Sequence, residues 1–252
     1  MAVVLAVAGS AATANECPDR PVRSISSPSM PADVCIPDGF KDVPVNYFDD
    51  YSWRAFLAMV WPAAPLRRGA PDTRKAVGGA GPRVFETFKS MWEVFHEDGS
   101  APLPDFNAYD GAANNACKVR PQFGEIVLAS FSGIDDIGQA GAGELAGPLV
   151  AQNGRYVRYL TLYNQTAFDF IVRNRFYLRS NLPKVPSPRP PTPVMQFPDG
   201  AIALKAAWVD MAGFPANQQR RYYTRIAIVC DPSTGACSRW RRPTSRSACW
   251  RR

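Results

Sequence analysis

The stretch from Pro148 to Leu182 constrains the fold more than any other. Asn153-Gly154 lies between two β-prone runs. Both residues accept positive φ, which a tight type I′ hairpin turn requires. The second run then alternates, with Tyr156, Arg158, Leu160 and Leu162 on one face and Val157, Tyr159, Thr161 and Tyr163 on the other. Beyond it the period lengthens from two to nearly four. Ala167, Phe168, Ile171 and Val172 form a helical stripe, with Asn164 or Thr166 placed to cap it. A hairpin feeding a helix that packs back on it is the seed of an α+β core. The expectation is an α+β fold with a mainly antiparallel sheet, at least three packed helices and disulfide bonds.

Two further helices are expected. Trp53, Phe56, Leu57 and Val60 fall at i, i+3, i+4 and i+7. Asp49, Asp50 and Ser52 precede them as caps and Pro62 follows, so Trp53 is expected in the core. After a Pro- and Gly-rich basic loop over 62–82, Val84, Phe85, Phe88, Met91, Trp92 and Phe95 share one face. Glu86, Lys89 and Glu93 share the other, and Gly99 ends the pattern. Strands are expected over 125–131, 201–210 and 221–230. A Gly-rich loop spans 132–148, and 183–198 forms a polyproline-like connector.

Residues 1–14 are apolar and end in Ala12-Thr13-Ala14, the small-x-small pattern of a signal-peptidase site. The mature chain is expected to begin near Asn15, with an extended arm over 15–46 and one α+β domain over 47–237. Six cysteines agree with a periplasmic or extracellular location. No apolar run is long enough to span a membrane. Cys230 and Cys237 flank a turn sequence and are expected to pair at the base of a hairpin. Cys17 and Cys35 bracket the Pro/Ser-rich arm and form the second expected pair, leaving Cys117 and Cys249.

Chemistry is harder to find. The Gly-rich loop lacks the spacing of a phosphate loop, and nothing suggests that the domain binds nucleic acid. No metal motif and no cofactor site is expected, although Asp135 and Asp136 could help hold Ca²⁺. His96, the only histidine, reads as a capping residue at a helix end. Glu86 and Glu93 resemble an acid/base pair, but Lys89 between them favours a solvated ion-paired face. Lys205 stands in an apolar strand, either lining a pocket or pointing to solvent from an edge. Trp61, Tyr109, Trp208, Tyr222 and Tyr223 are the aromatic candidates for ligand contact.

Five motifs carry a resemblance: Ser52-Trp53-x-x-Phe56, Trp61-Pro62, Phe85-Glu86-Thr87-Phe88-Lys89, Asn153-Gly154-x-Tyr156-Val157, and Phe197-Pro198-x-Gly200 with Lys205-Ala206-Ala207-Trp208. Together they resemble a family of exported bacterial proteins of no established activity, some labelled "cytochrome c family". The chain has no haem-attachment motif. Members of that family continue past the last strand with further apolar sequence. Here residues 238–252 instead hold six Arg and no acidic residue, and without those six the net charge of +7 would be +1. The tail reads as out of frame or otherwise non-native, with a cationic arm as the alternative. An out-of-frame tail would leave the last strand without a partner and Cys117 unpaired.

These features favour an exported, non-catalytic binding or accessory protein, because no nucleophile–base set is apparent. The first alternative is a hydrolase of an envelope or extracellular polymer, with carboxylates among Glu86, Glu93, Asp135, Asp136 and Glu144 as acid and base. The second, a redox partner of a cytochrome, follows from the family label alone.

Overall fold

In a computed structural model, residues 27–31, 45–110, 115, 117–128, 147–182, 195–230, 236–240 and 248–251 are described. The leader, most of the arm, Cys17, Cys35, Asp135, Asp136 and Glu144 lie outside them.

The elements run in order as α1 (Val45–Val60), a 3-10 turn (Val84–Thr87), β1 (Lys89–Ser90), α2 (Met91–Val94), β2 (Ile126–Leu128), β3 (Arg158–Tyr163) and α3 (Gln165–Arg173). A second 3-10 turn (Arg179–Asn181) precedes β4 (Ala203–Asp210), α4 (Ala216–Gln219), β5 (Tyr222–Arg225), β6 (Ala227–Cys230), β7 (Cys237–Trp240) and β8 (Ala248–Arg251). The strands form a five-stranded sheet ordered β1-β3-β4-β8-β5 and a three-stranded sheet ordered β2-β6-β7. All pairs are antiparallel except β2 with β6. The expected α+β class holds.

The hairpin–helix unit behaves as its periodicity demands. Arg158, Leu160 and Leu162 are buried while Tyr159, Thr161 and Tyr163 are half-exposed. In α3, Ala167, Phe168 and Ile171 are buried, and Asn164 caps the helix by accepting the Ala167 N–H at 3.0 Å. The turn differs from expectation. Gly154 has φ +73°, but Asn153 does not share the left-handed region. Ala151 accepts from Gly154 N–H and donates to Arg155, which closes a three-residue loop rather than a two-residue type I′ turn. The reason for an asparagine is tertiary: its amide donates to the carbonyls of Asp210 and Ala212 at 2.7 and 2.9 Å, tying the loop to the end of β4.

Two helix expectations are corrected. Helix α1 begins before its supposed caps, and it buries Tyr47, Ala55 and Ala58 while Trp53 is 56% exposed. The alanines let the helix axis approach the 84–87 turn closely, so the small residues face the core. Trp53 packs edge-on against Phe56 outside, with ring centroids 5.9 Å apart. The amphipathic helix expected over 84–98 is not formed. Residues 84–90 are buried on every side, so there is no wet face for a helix to present. The segment passes through the core as a 3-10 turn, a two-residue strand and one turn of helix.

One apolar core joins both sheets: Phe85, Phe88, Leu160, Leu162, Phe168, Ile171, Trp208, Ile126, Leu128 and Val229 all belong to it. A smaller cluster of Trp92, Val127 and Ile228 lies beside it, with Cys117 and Val119 packed against it. There the disulfide forms between Cys117 and Cys237, across 120 positions. The expected Cys230–Cys237 bridge is thus corrected. Cys230 does stand opposite Cys237 in the β6–β7 register, but the sulfur of Cys237 is bonded to Cys117. Strand β7 pairs with β6, and β8 inserts between β4 and β5, so the described parts of the Arg-rich tail supply partner strands. No helix among the described residues is long and apolar enough to cross a membrane.

Candidate functional site

The segment 84–100 and the loop 105–110 enclose a polar cluster inside an otherwise apolar core. Arg68 enters it from the 62–82 loop. Its guanidinium meets Glu93 in a bidentate pair, with both N–H···O distances 2.8 Å. The remaining donors reach the carbonyls of Thr87 (2.7 Å), Phe88 (2.7 Å) and Ala108 (3.0 Å), so all five are engaged. The ring of Tyr109 covers the guanidinium at 4.3 Å. Glu93 is 1% exposed and also accepts the Ser90 N–H at 2.9 Å. Burial alone would push its carboxyl up, but Arg68, then Lys89, hold it below the usual carboxylate range. Lys89 is fully buried. Its ammonium donates to the Ala108 carbonyl at 2.6 Å and lies 3.6 Å from Glu93. Burial lowers its affinity for a proton, against the pull of Glu93.

The same loop carries Asp110 to His96. The Nε2 of His96 meets the Asp110 carboxylate at 2.5 Å, and its Nδ1 meets the Ser100 hydroxyl at 2.8 Å. Both ring nitrogens face oxygen, so the ring orientation is fixed by its partners. An ionised carboxylate can only accept, so Nε2 carries the proton when the ring is neutral. The Ser100 hydroxyl has two neighbours that can accept its proton, His96 Nδ1 at 2.8 Å and the Asp98 carboxylate, whose pKa the Ser100 side chain lowers. Asp110 is buried, the His96 side chain is nearly so, and Ser100 is exposed. This is the arrangement of a general base held by a buried carboxylate against an accessible hydroxyl. The Ser100 N–H is already donated to Asp98 at 2.9 Å.

A third group surrounds Glu86. Both carboxylate oxygens are buried and neither makes a well-aligned hydrogen bond, although Arg225 Nε lies 2.9 Å from one of them and the Tyr223 hydroxyl and the Arg83 backbone stand close enough to favour the charged form weakly. Arg225 is aligned instead on the Gly124 carbonyl, to which its Nη2 donates at 2.7 Å. Burial pushes the Glu86 carboxyl up to about 7, with Arg225 only partly offsetting it. Burial and the neighbouring Glu86 likewise push the Tyr223 hydroxyl up.

Set against these sites, the residues singled out from sequence are redistributed. Glu86 and Glu93 are not a solvated face; each is buried with its own arginine. Lys89 is the most deeply buried of the three. Lys205 is exposed on β4, its ammonium 4.6 Å from the Tyr159 ring centroid. Strand β8 pairs β4 only at Val209 and Asp210, so Lys205 lies on a stretch open on one side among the described residues. Trp61 and Trp208 are core residues, and Trp61 donates its indole N–H to the Asp72 carbonyl at 3.1 Å. Tyr109, Tyr222 and Tyr223 are half-buried. His96 does not end a regular helix; it bridges Ser100 and Asp110. Sequence reasoning missed Arg68, Ser100 and Asp110. The i, i+4 spacing of His96 and Ser100 is a signal that could have suggested their contact. Nothing in the sequence marks Asp110 or Arg68.

Among the described residues, no group of three or more His, Cys, Asp and Glu could hold a metal ion. The chain matches no family model, no curated protein and no solved structure.

Proposed function

We propose that the chain is an exported acyl hydrolase, cleaving ester bonds with Ser100 as nucleophile, His96 as general base and Asp110 as the group that orients His96. The observation that carries this reading is the hydrogen-bonded series Asp110–His96–Ser100, buried at one end and exposed at the other. Ser100 Oγ attacks the acyl carbon while His96 Nδ1 takes its proton. The ester C–O bond then breaks, and the same proton goes to the departing alkoxide. Water repeats the sequence to release the acid and restore Ser100.

Two other observations bear on the choice. Trp61 and Trp208 are core residues, which reduces the aromatic surface that favoured a non-catalytic binding protein. Glu86 and Glu93 are each paired with an arginine, which gives paired-carboxylate hydrolysis less support. The Cys117–Cys237 disulfide agrees with an oxidising compartment.

Because the Ser100 N–H is held by Asp98, it does not serve a developing oxyanion. General-base assistance alone gives about 10²–10⁴-fold, so a slow enzyme is expected. The test is hydrolysis of p-nitrophenyl acetate together with labelling by a fluorophosphonate. The wild-type protein should hydrolyse the ester above the buffer rate and carry the label on Ser100. Ser100→Ala and His96→Gln should abolish both. A folded wild-type protein with neither rate nor label would end the proposal.

A further inference from the structure

Asn153-Gly154 is the chain's single Asn-Gly pair. Glycine has no Cβ, so its backbone nitrogen approaches the preceding side chain unhindered. In the fold, however, both partners are held. Asn153 Nδ2 donates to the carbonyls of Asp210 and Ala212 at 2.7 and 2.9 Å, and its Oδ1 accepts from Arg155 N–H at 3.3 Å. A methyl group on Gly213 would lie 3.9 Å from the Asn153 Cβ, so the turn after β4 sits directly against this residue. The Gly154 N–H is donated to the Ala151 carbonyl at 2.9 Å. While the loop is docked, the backbone nitrogen and the side-chain amide are both committed elsewhere.

We infer that Asn153 is a deamidation site gated by the docking of the 151–155 loop on the end of β4, and that its conversion makes undocking permanent. Once the loop lifts, the Gly154 nitrogen loses its proton and attacks Asn153 Cγ. The N–Cγ bond forms and the Cγ–Nδ2 bond breaks. Nδ2 leaves as ammonia, which carries in balance the proton lost by Gly154, and a five-membered succinimide remains. Water then adds to one of the two ring carbonyls and opens the ring to aspartate or isoaspartate. One water is consumed and one ammonia released, with no oxidant and no cofactor. An ionised carboxylate only accepts. At position 153 it would face the same two carbonyls, both acceptors, so two hydrogen bonds become two repulsions. The Asp210 carboxylate is buried in the same corner, where it accepts from Ala212 N–H at 2.9 Å and has Arg155 Nε 3.3 Å away. Two carboxylates would then compete for Arg155, and the loop could not redock as before.

The test is peptide mapping of the native and the guanidinium-unfolded protein during incubation at about pH 8. In the unfolded chain Asn153 should be converted before the other asparagines, because it alone precedes a glycine. In the folded protein the same conversion should run on the order of ten- to a hundredfold more slowly, as a reaction routed through local opening. Equal rates in the two states would overturn the gating. A folded protein that keeps Asn153 intact through several hundred unfolded-state half-lives, on the order of the slowest opening expected, would remove the site. Permanence is read from hydrogen exchange across residues 150–157 and 209–213. Asn153→Asp should lose protection there by about tenfold or more relative to Asn153→Ala, which removes the same hydrogen bonds without adding a charge. Equal protection in the two variants, or wild-type protection in Asn153→Asp, would refute the permanent release. Should Asn153→Asp fail to fold when expressed, the deamidated form separated from folded wild-type protein by ion exchange supplies the same measurement.

Discussion

Replacing Glu86 by Gln should stabilise the protein at neutral and alkaline pH and do almost nothing in acid. The carboxyl is buried, and its burial outweighs Arg225, Tyr223 and Arg83 beside it, so its pKa rises from 4.5 to about 7. Below about pH 4.5 it is protonated in both the folded and unfolded chains, so it has no linkage effect. Between 4.5 and 7 the unfolded chain releases this proton while the folded chain keeps it. The folded state then binds more protons, and stability falls as pH rises. Above 7 the full cost is present. A shift of that size corresponds to about 3 kcal/mol at 1.36 kcal/mol per unit. Glutamine is close to a permanent form of the protonated acid and should escape this cost. Urea unfolding of both proteins at pH 4.5, 6 and 8 is the assay. The midpoints should nearly coincide at pH 4.5, and at pH 8 the variant should lead by about 1 M or more. A difference that stays constant with pH, or a variant that is the weaker at pH 8, would refute the reasoning. The second outcome would mean that Arg225 satisfies the ionised carboxylate far better than its geometry suggests.

Three further outcomes follow from named contacts. Asn164→Ala should cost about 2 kcal/mol in urea unfolding. Its side chain caps α3 and also ties the segment leading into β4 to that helix, accepting from Ile202 N–H and donating to the Gly200 carbonyl. Arg68→Ala should cost about 3–5 kcal/mol by stranding Glu93 at 1% exposure, whereas replacing both Arg68 and Glu93 by Met should cost much less than the single change. Cys117→Ser, or reduction of the native protein, should lower stability by about 4–5 kcal/mol on loop entropy, seen as a shared drop in urea midpoint.

Periodicity was legible wherever an element has one wet side and one dry side. Strand β3 and helix α3 are of that kind, and their faces and the Asn164 cap were readable. The segment 84–95 was misread because its apolar spacing also fits a helix, and periodicity cannot reveal that Glu86, Lys89 and Glu93 are buried too. Charge at helical spacing normally signals a solvated face. Here the compensating arginines come from distant places, Arg68 from a loop and Arg225 from β5. The disulfide was misassigned for a similar reason. Local turn chemistry placed Cys230 opposite Cys237, but the partner was chosen by the packing of the 115–120 loop. Trp53, expected in the core, is exposed while Ala55 is buried, because the closeness of α1 to the core favours the smaller side chain. The candidate site was not legible, since Asp110 meets His96 only through a loop whose course is set by Arg68 and Lys89.

Strand β2 is wholly apolar and buried, yet its partner is the parallel strand β6, about a hundred residues further along the chain. During synthesis, Ile126, Val127 and Leu128 emerge long before Ala227, Ile228 and Val229 exist to cover them. For that interval the nascent protein presents an apolar segment whose partner strand does not yet exist. The Cys117–Cys237 bond closes over the same interval. Its appearance on a non-reducing gel would therefore act as a clock for maturation, because that bond joins the approach to β2 with the strand beside β6.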